Sequence, residues 1–245
     1  MENTLEPNKL EAINSILKDL PKTPIVEVTL PTRNRFYTLQ DPSKPITIRA
    51  MEWTDEQAIL SANGVNSLNI LLSRTVNNVN FSELLPIDKL ALLLKLREIS
   101  ISDTYTAVIK CPHCRTSNEI EQELHDLPVK MVPEVITDPI TFKLPSIGKE
   151  IKVRLQRTKD EEHFSKPDMI FNNLWRCIES IDGATDKQII AEVVKKLPLK
   201  DIKLILRFIS LQDYGVELKF NFICSNCKGE SIMEMPIGDD FFTMK

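Results

Sequence analysis

"CPHCRTSNEIEQEL" at 111–124 and "CSNCKGESIMEM" at 224–235 decide how this chain reads. Each opens on a C-x-x-C turn and continues as an alternating polar and apolar stretch, the pattern of a half-buried strand. Thiolates bind zinc tetrahedrally, and a C-x-x-C turn aims two sulfurs at one ion while turn amides donate to them. One such turn is half of a four-sulfur site. Cys111, Cys114, Cys224 and Cys227 together predict a structural zinc site assembled from two distant parts of the chain. Its closure would constrain the unfolded chain over a loop of about 110 residues.

Two other readings of these cysteines stand beside it. They are free thiols in turns that have kept the shape of a metal knuckle without the metal, or they are redox pairs. The redox reading is the weaker, because neither pair precedes a helix whose N-terminus would lower a thiol pKa. Of the three histidines, His113 is expected to point outward from its turn, and His125 and His163 are single polar residues in charged surroundings. Any of them replacing a cysteine is the lesser alternative. Cys177, in "NNLWRCIESI", reads as a buried small hydrophobe.

Outward from the cysteines the two halves of the chain continue to match. "LREIS" at 96–100 and "LRFIS" at 206–210 precede the two hairpins, and each follows a Leu-Pro and an apolar run, "LLPIDKLALLLK" or "KLPLKDIKLI". Further upstream "ITIRAMEWTDEQ" at 46–57 parallels "IKVRLQRTKDEE" at 151–162, and the leading strands "VEVTLP" and "ITFKLP" end at Pro31 and Pro145. The predicted fold is therefore α+β: two tandem repeats of strands, three helices and a C-x-x-C hairpin, related by pseudo-twofold symmetry and joined by one zinc site. The predicted limits are an N-terminal helical extension at 1–25, a first repeat at 26–124, a connector at 125–139, a second repeat at 140–236 and a tail at 237–245.

The helices are expected near 55–63, 66–77 and 87–100, and near 159–165, 167–180 and 186–210, the last broken at Pro198 because proline removes a helical donor. Thr54 with Gln57, Thr158 with Glu161, and Thr185 with Gln188 offer capping boxes. Asp55, Glu56, Asp160, Glu161 and Glu162 fall in first helical turns, where carboxylates complement the helix dipole, and Arg49 and Arg154 stand where they can pair with them. The leading segment is an amphipathic helix with Leu10, Ile13, Ile16, Leu17 and Leu20 on one face, stopped at Pro21, and packs on the body or on another subunit.

Composition excludes several functions. The net charge of −4 and scattered Lys and Arg argue against a protein whose main partner is a phosphate backbone. No apolar run approaches the roughly 20 residues of a membrane span, and the start lacks the pattern of a signal peptide, so a cytosolic protein is expected. There is no H-E-x-x-H, Walker, nucleophile-elbow or dinucleotide motif and no catalytic constellation, which predicts a non-enzyme. Arg33, Arg35, Phe36 and Tyr37 form one local basic and aromatic cluster, which suits nucleic acid or a partner protein equally, and Phe241 and Phe242 lie in a tail read as exposed; these six are the expected partner contacts, since aromatic and arginine side chains dominate interface hot spots.

In that order, "LPTRNRFY", "ITIRAMEWTDEQAILSANGVNSLNILLSRTVNNV" and "LLPIDKLALLLKLREISISDTYTAVIKCPHC" resemble the T-even-type bacteriophage baseplate hub assembly proteins, over about 28–235. Members commonly carry Leu-Pro-Ser-x-Gly-x-x-Tyr and a Cys-Pro-x-Cys after an apolar helix; here Thr-Arg-Asn stands where Ser-x-Gly is usual. The resemblance implies a contractile-tail protein that assembles the central baseplate hub, as a transient chaperone or a retained subunit. Its partners would be other hub proteins, and its places the host cytoplasm during assembly and the virion baseplate. A zinc-ribbon nucleic-acid-binding regulator is the alternative, and the acidic balance speaks against it.

Overall fold

Thr47–Arg49 and Glu150–Val153 are the central strands of two small antiparallel sheets, each flanked by helices and each followed by a hairpin. The computed structural model describes residues 7–18, 22–61, 67–237 and 239–242. In the first half, β1 (Ile25–Glu27), β2 (Thr47–Arg49) and β3 (Val76–Asn77) form a sheet in that order, with α2 (Trp53–Ser61) and α3 (Ser67–Thr75) between β2 and β3. The helix α4 (Pro86–Ser100) then leads to the hairpin of β4 (Thr104–Lys110) and β5 (Ser117–Glu123).

The second half runs in a similar order with one helix more. β7 (Ile140–Lys143), β8 (Glu150–Val153) and β9 (Ile178–Ile181) form a sheet, with α5 (Glu161–Phe164) and α6 (Pro167–Asn173) between β8 and β9. Next come α7 (Lys187–Val194), α8 (Leu199–Ser210) and the hairpin of β11 (Lys219–Ile223) and β12 (Glu230–Glu234). The short strands β6 (Val129–Lys130) and β10 (Gly215–Val216) pair with each other and fasten the middle of the chain to the end of α8. The leading helix α1 (Pro7–Lys18) keeps Ile13 and Ile16 exposed; Leu20, Pro21 and the side chains of Leu10 and Leu17 lie outside the described residues.

Alternation decides which residues go inside. Ile46, Ile48, Leu71, Leu92 and Leu96 are fully buried in one core, and Ile151, Val153, Ile178 and Ile205 in another, joined there by Cys177. Burial also pushes the Cys177 thiol up to about 12, as expected of a thiol far from water. Ile109, Phe222, Cys111 and Cys224 make a third, small cluster between the hairpins.

Several expected features differ. The stretches 66–77 and 167–180 do not remain helical: each ends in a third sheet strand, β3 and β9, whose β-branched residues complete the sheet edges. The helix α2 starts at Trp53, one residue before Thr54, and the amide of its preceding residue Glu52 is bound by Asp55 at 2.9 Å. Likewise Asp160 binds the Arg157 amide at 2.9 Å, while the Thr158 hydroxyl donates to the Leu84 carbonyl at 3.1 Å in the other half of the chain. The cap of α7 is Asp186, which accepts from the amides of Gln188 and Ile189, in place of Thr185. Carboxylates outcompete threonine here because each also answers an arginine or several amides. The break at Pro198 is found: α7 ends at Val194 and Pro198 precedes α8 in an extended conformation.

Candidate metal centre

The two C-x-x-C turns are built alike. Cys111 N donates to Thr116 O at 3.0 Å and Arg115 N to Cys111 O at 2.9 Å; Cys224 N donates to Gly229 O and Lys228 N to Cys224 O, both at 3.1 Å. The residue after the second cysteine takes a left-handed conformation in both, Arg115 at φ 61° and Lys228 at φ 58°. This tight turn directs both sulfurs of a pair to one side.

The hairpins face each other so that the four sulfurs converge. Cys111 Sγ lies 3.7 Å from Cys227 Sγ, and Cys114 Sγ lies 3.6 Å from Cys224 Sγ, each contact crossing from one hairpin to the other. All four sulfurs lie within 4.8 Å of one another, so Cys111, Cys114, Cys224 and Cys227 form a cluster able to hold a metal ion. Cys111 and Cys224 are buried and Cys227 is exposed.

The turns also supply the electrostatics that a thiolate cluster needs. The Thr116 hydroxyl and then its amide hold the Cys114 thiol down, to about 5. The Cys227 amide, ahead of that of Asn226, lowers Cys224 despite burial. For Cys227 the Gly229 amide lowers the thiol, but Cys114, burial, Cys111 and Cys224 together outweigh it and push it up to about 11. Crowded thiols resist losing all their protons together unless a cation compensates the charge.

Two residues outside the cysteines tie the site together. Buried Asn118 on β5 accepts from Ser225 N at 2.9 Å and Ser225 Oγ at 2.7 Å, while its Nδ2 donates to Thr116 O and approaches Cys224 Sγ at 3.6 Å. Its only sequence signal is an amide at an inward position of an alternating strand. His113 is exposed, and its Nε2 lies 3.0 Å from Ser231 Oγ and 3.3 Å from Glu230 O, so it crosses to the second hairpin. The ring adds a second clasp between the hairpins.

A second group, Asp103, Glu123 and His125, is also close enough to share an ion. Its members already satisfy one another and their neighbours. His125 Nδ1 bonds Asp103, His125 Nε2 lies 3.2 Å from Asp126, and Thr104 Oγ1 donates to Glu123 at 2.8 Å.

The six residues expected to contact a partner are placed differently from one another. Phe241 and Phe242 are buried, which corrects the reading of an exposed tail. Phe241 packs edge-on against Tyr105 with centroids 4.9 Å apart, and its carbonyl accepts from Arg97 Nη1 at 2.6 Å. Tyr37 donates its hydroxyl to buried Asp88 and accepts from Leu85 N at 2.9 Å. Arg35 spans the carbonyls of Val132, Pro133, Glu134 and Ile136, and Phe36 packs on the second core, so both fasten the segment between the halves. Arg33 remains exposed on its turn, 3.9 Å from Glu134.

The model of the family described as T4 bacteriophage base plate protein matches residues 32–243. The chain belongs to this family. The match takes in both hairpins and all four cysteines, so this baseplate protein carries its metal-capable cluster within the family region. No curated protein and no solved structure matches the chain. No described helix is long and apolar enough to cross a membrane.

Proposed function

We propose that this baseplate protein is a non-catalytic assembly factor or structural subunit of the tail baseplate hub, working through protein contacts on a scaffold pinned by one zinc ion. The convergence of four thiols from two hairpins carries the reading. Tetrahedral zinc with bonds of about 2.3 Å to sulfur separates its ligands by about 3.8 Å. The cross-hairpin distances of 3.7 and 3.6 Å match that spacing. Four thiolates fill a zinc shell and leave no position for water, so the ion would stabilise and not catalyse.

The same reading takes 26–124 and 140–236 as tandem repeats related by a pseudo-twofold axis through the zinc, with 1–25, 125–139 and 237–245 as extension, connector and tail. Matched polar bonds support it. Thr32 N donates to Asp88 Oδ1 and Ser146 N to Asp201 Oδ1, both at 3.1 Å, tying the loop after each leading strand to the first turn of α4 or α8. Asn34 and Gly148 stand two residues later at φ 61° and 66°. Asparagine tolerates this left-handed position, which is how the Thr-Arg-Asn loop keeps the turn of a Ser-x-Gly loop.

Partners would be other hub proteins, met in the host cytoplasm and retained in the virion if the role is structural. Affinity purification of tagged protein from infected cells, with metal analysis of the eluate, tests this. Baseplate proteins with about one zinc per chain are expected. Recovery of salt-sensitive nucleic acid in their place would overturn the reading in favour of a zinc-ribbon regulator.

A further inference from the structure

Between the two hairpins, beyond the sulfurs, a cleft of about 450 Å³ runs along β5 on one side and β11 on the other. Among the described residues each hairpin has two strands only, so the backbone of β5 pairs with β4 alone and that of β11 with β12 alone. The bonds bracketing each ladder identify which backbone groups are used. Cys111 N to Thr116 O and Leu124 N to Asp103 O put the even-numbered residues of β5 in bonds to β4. The amides of Glu119 and Glu121 therefore lie on its open edge. By the same alternation, Cys224 N to Gly229 O and Met235 N to Leu218 O leave Asn221 and Ile223 on the open edge of β11.

The side chains specify what suits that edge. The charged groups among the cleft-lining residues are Glu119 and Glu121, both exposed, and neither makes an ion pair or side-chain hydrogen bond with another described residue. Between them Ile120 faces the other way and packs with Phe220 and Phe222. An open edge carrying unneutralised carboxylates over an apolar floor repels another acidic strand, a common protection against aggregation. It also complements a strand of opposite charge.

We infer that the β5 edge accepts an extended segment of a partner protein as an added strand, with Lys or Arg at alternate positions opposite Glu119 and Glu121 and an apolar residue between them over Ile120. Backbone bonds supply affinity, and the alternating side chains supply selectivity. This rests on the metal-pinned reading above, because the ion fixes the two walls of the cleft.

The test uses the full zinc-loaded chain and the probe acetyl-Lys-Val-Lys-Val-Lys-Val-Lys-amide, with the Glu-for-Lys peptide as control, followed by amide hydrogen exchange. The basic peptide is expected to protect the amides of Glu119 and Glu121, and the acidic one is not. Glu119→Lys with Glu121→Lys should weaken binding roughly tenfold or more, since two attractive facing charge pairs become repulsive. Glu119→Gln with Glu121→Gln, which adds no new charge, should give an intermediate loss. Metal content and circular dichroism of every variant check that the hairpins are intact. Absence of protection at millimolar peptide, or binding unaffected by charge reversal, overturns the proposal. Protection of the same amides by rising protein concentration alone would overturn it in favour of a second copy. Equal peptide binding by chelated protein would leave the edge assignment standing and overturn the metal-pinned reading.

Discussion

Arg154 grips Asp160 through two bonds, Nη1 to Oδ2 at 2.7 Å and Nη2 to Oδ1 at 2.8 Å, six residues along the chain and across a strand-to-helix junction. Arg49 holds Asp55 in the same way, at 2.7 and 3.1 Å, with Arg74 added at 2.7 Å. Each carboxylate also binds the amide that opens its helix, so one buried acid fixes both the turn and the strand before it. Removing one member of a buried pair strands the other without compensation. Asp160→Ala is therefore expected to cost about 3 kcal/mol, and Arg154→Met with Asp160→Ala to recover part of it. Urea titrations of the two variants and of Arg154→Met alone measure the coupling; strictly additive losses would count against a coupled junction.

The same pairs set an acid limit. Burial alone would raise Asp55 and Asp160, but Arg49 and Arg74 overcome it for the first and Arg154 for the second, so both sit below their ordinary value of 3.8. A depressed folded pKa gives stability that is present above the unfolded value and lost as pH falls through the folded one. Stability should hold from neutral pH down to about 4 on account of these groups and decline below it. A melting series from pH 6 to pH 2 checks this, and Asp55→Asn should flatten the acid limb.

Metal removal should act on the hairpins first. Chelation, Cys224→Ala and Cys111→Ala are each expected to lower the melting temperature by roughly 10 °C, on the scale at which 1 kcal/mol shifts a chain of this size by about 2–4 °C. Cys111→Ala with Cys224→Ala should cost little more than either alone, since one missing ligand already opens the site. Inductively coupled plasma analysis of the purified chain should find zinc in the parent and none in the variants. A parent chain without metal and with an unchanged melt would remove the clasp.

The tail makes a separate contribution. Phe241 is fully buried and Phe242 nearly so, and they meet edge-on at 5.1 Å. Arg97 stands over the rings of Tyr105 and Phe241 at 4.9 and 5.2 Å and donates to the Phe241 carbonyl. Phe241→Ala is expected to cost about 3–5 kcal/mol, the range for emptying a buried aromatic site. Because the tail packs on α4 and β4, tryptic cleavage near the C-terminus should accelerate in this variant; an unchanged cleavage rate would show the tail is held elsewhere.

How far the sequence carried depended on whether a residue's partner was nearby in the chain. Arg49 with Asp55 and Arg154 with Asp160 are six residues apart, and the pairing was legible from spacing and charge. The four cysteines were legible because the chemistry of a half-site demands its complement. The strands β3 and β9 were not, since "RTVNN" and "CIESI" continue helical runs and only the neighbouring strand makes them extended. Phe241 and Phe242 were misread because their socket, Arg97 and Tyr105, lies more than 130 residues earlier. Asn118 was missed for the same reason: its partner Ser225 is 107 residues away, and an inward amide has no local signature.

Gly229 follows the second C-x-x-C turn closely enough to test the fit of the two knuckles. A Cβ built there would lie 2.7 Å from His113 Cδ2 and 3.3 Å from Cys227 Sγ. The first distance is too short for non-bonded carbons, while the second asks the sulfur to give slightly. The ring is the far end of a side chain, so Gly229→Ala should swing His113 away and break its bond to Ser231 at a cost of about 1 kcal/mol. His113→Ala should cost about the same for the same lost bond, and the combined variant should cost little more than either. Metal affinity measured by competition with a chromophoric chelator would resolve the two effects. A double variant as weak as the sum of the singles would mean that Gly229 presses on Cys227 and not on His113.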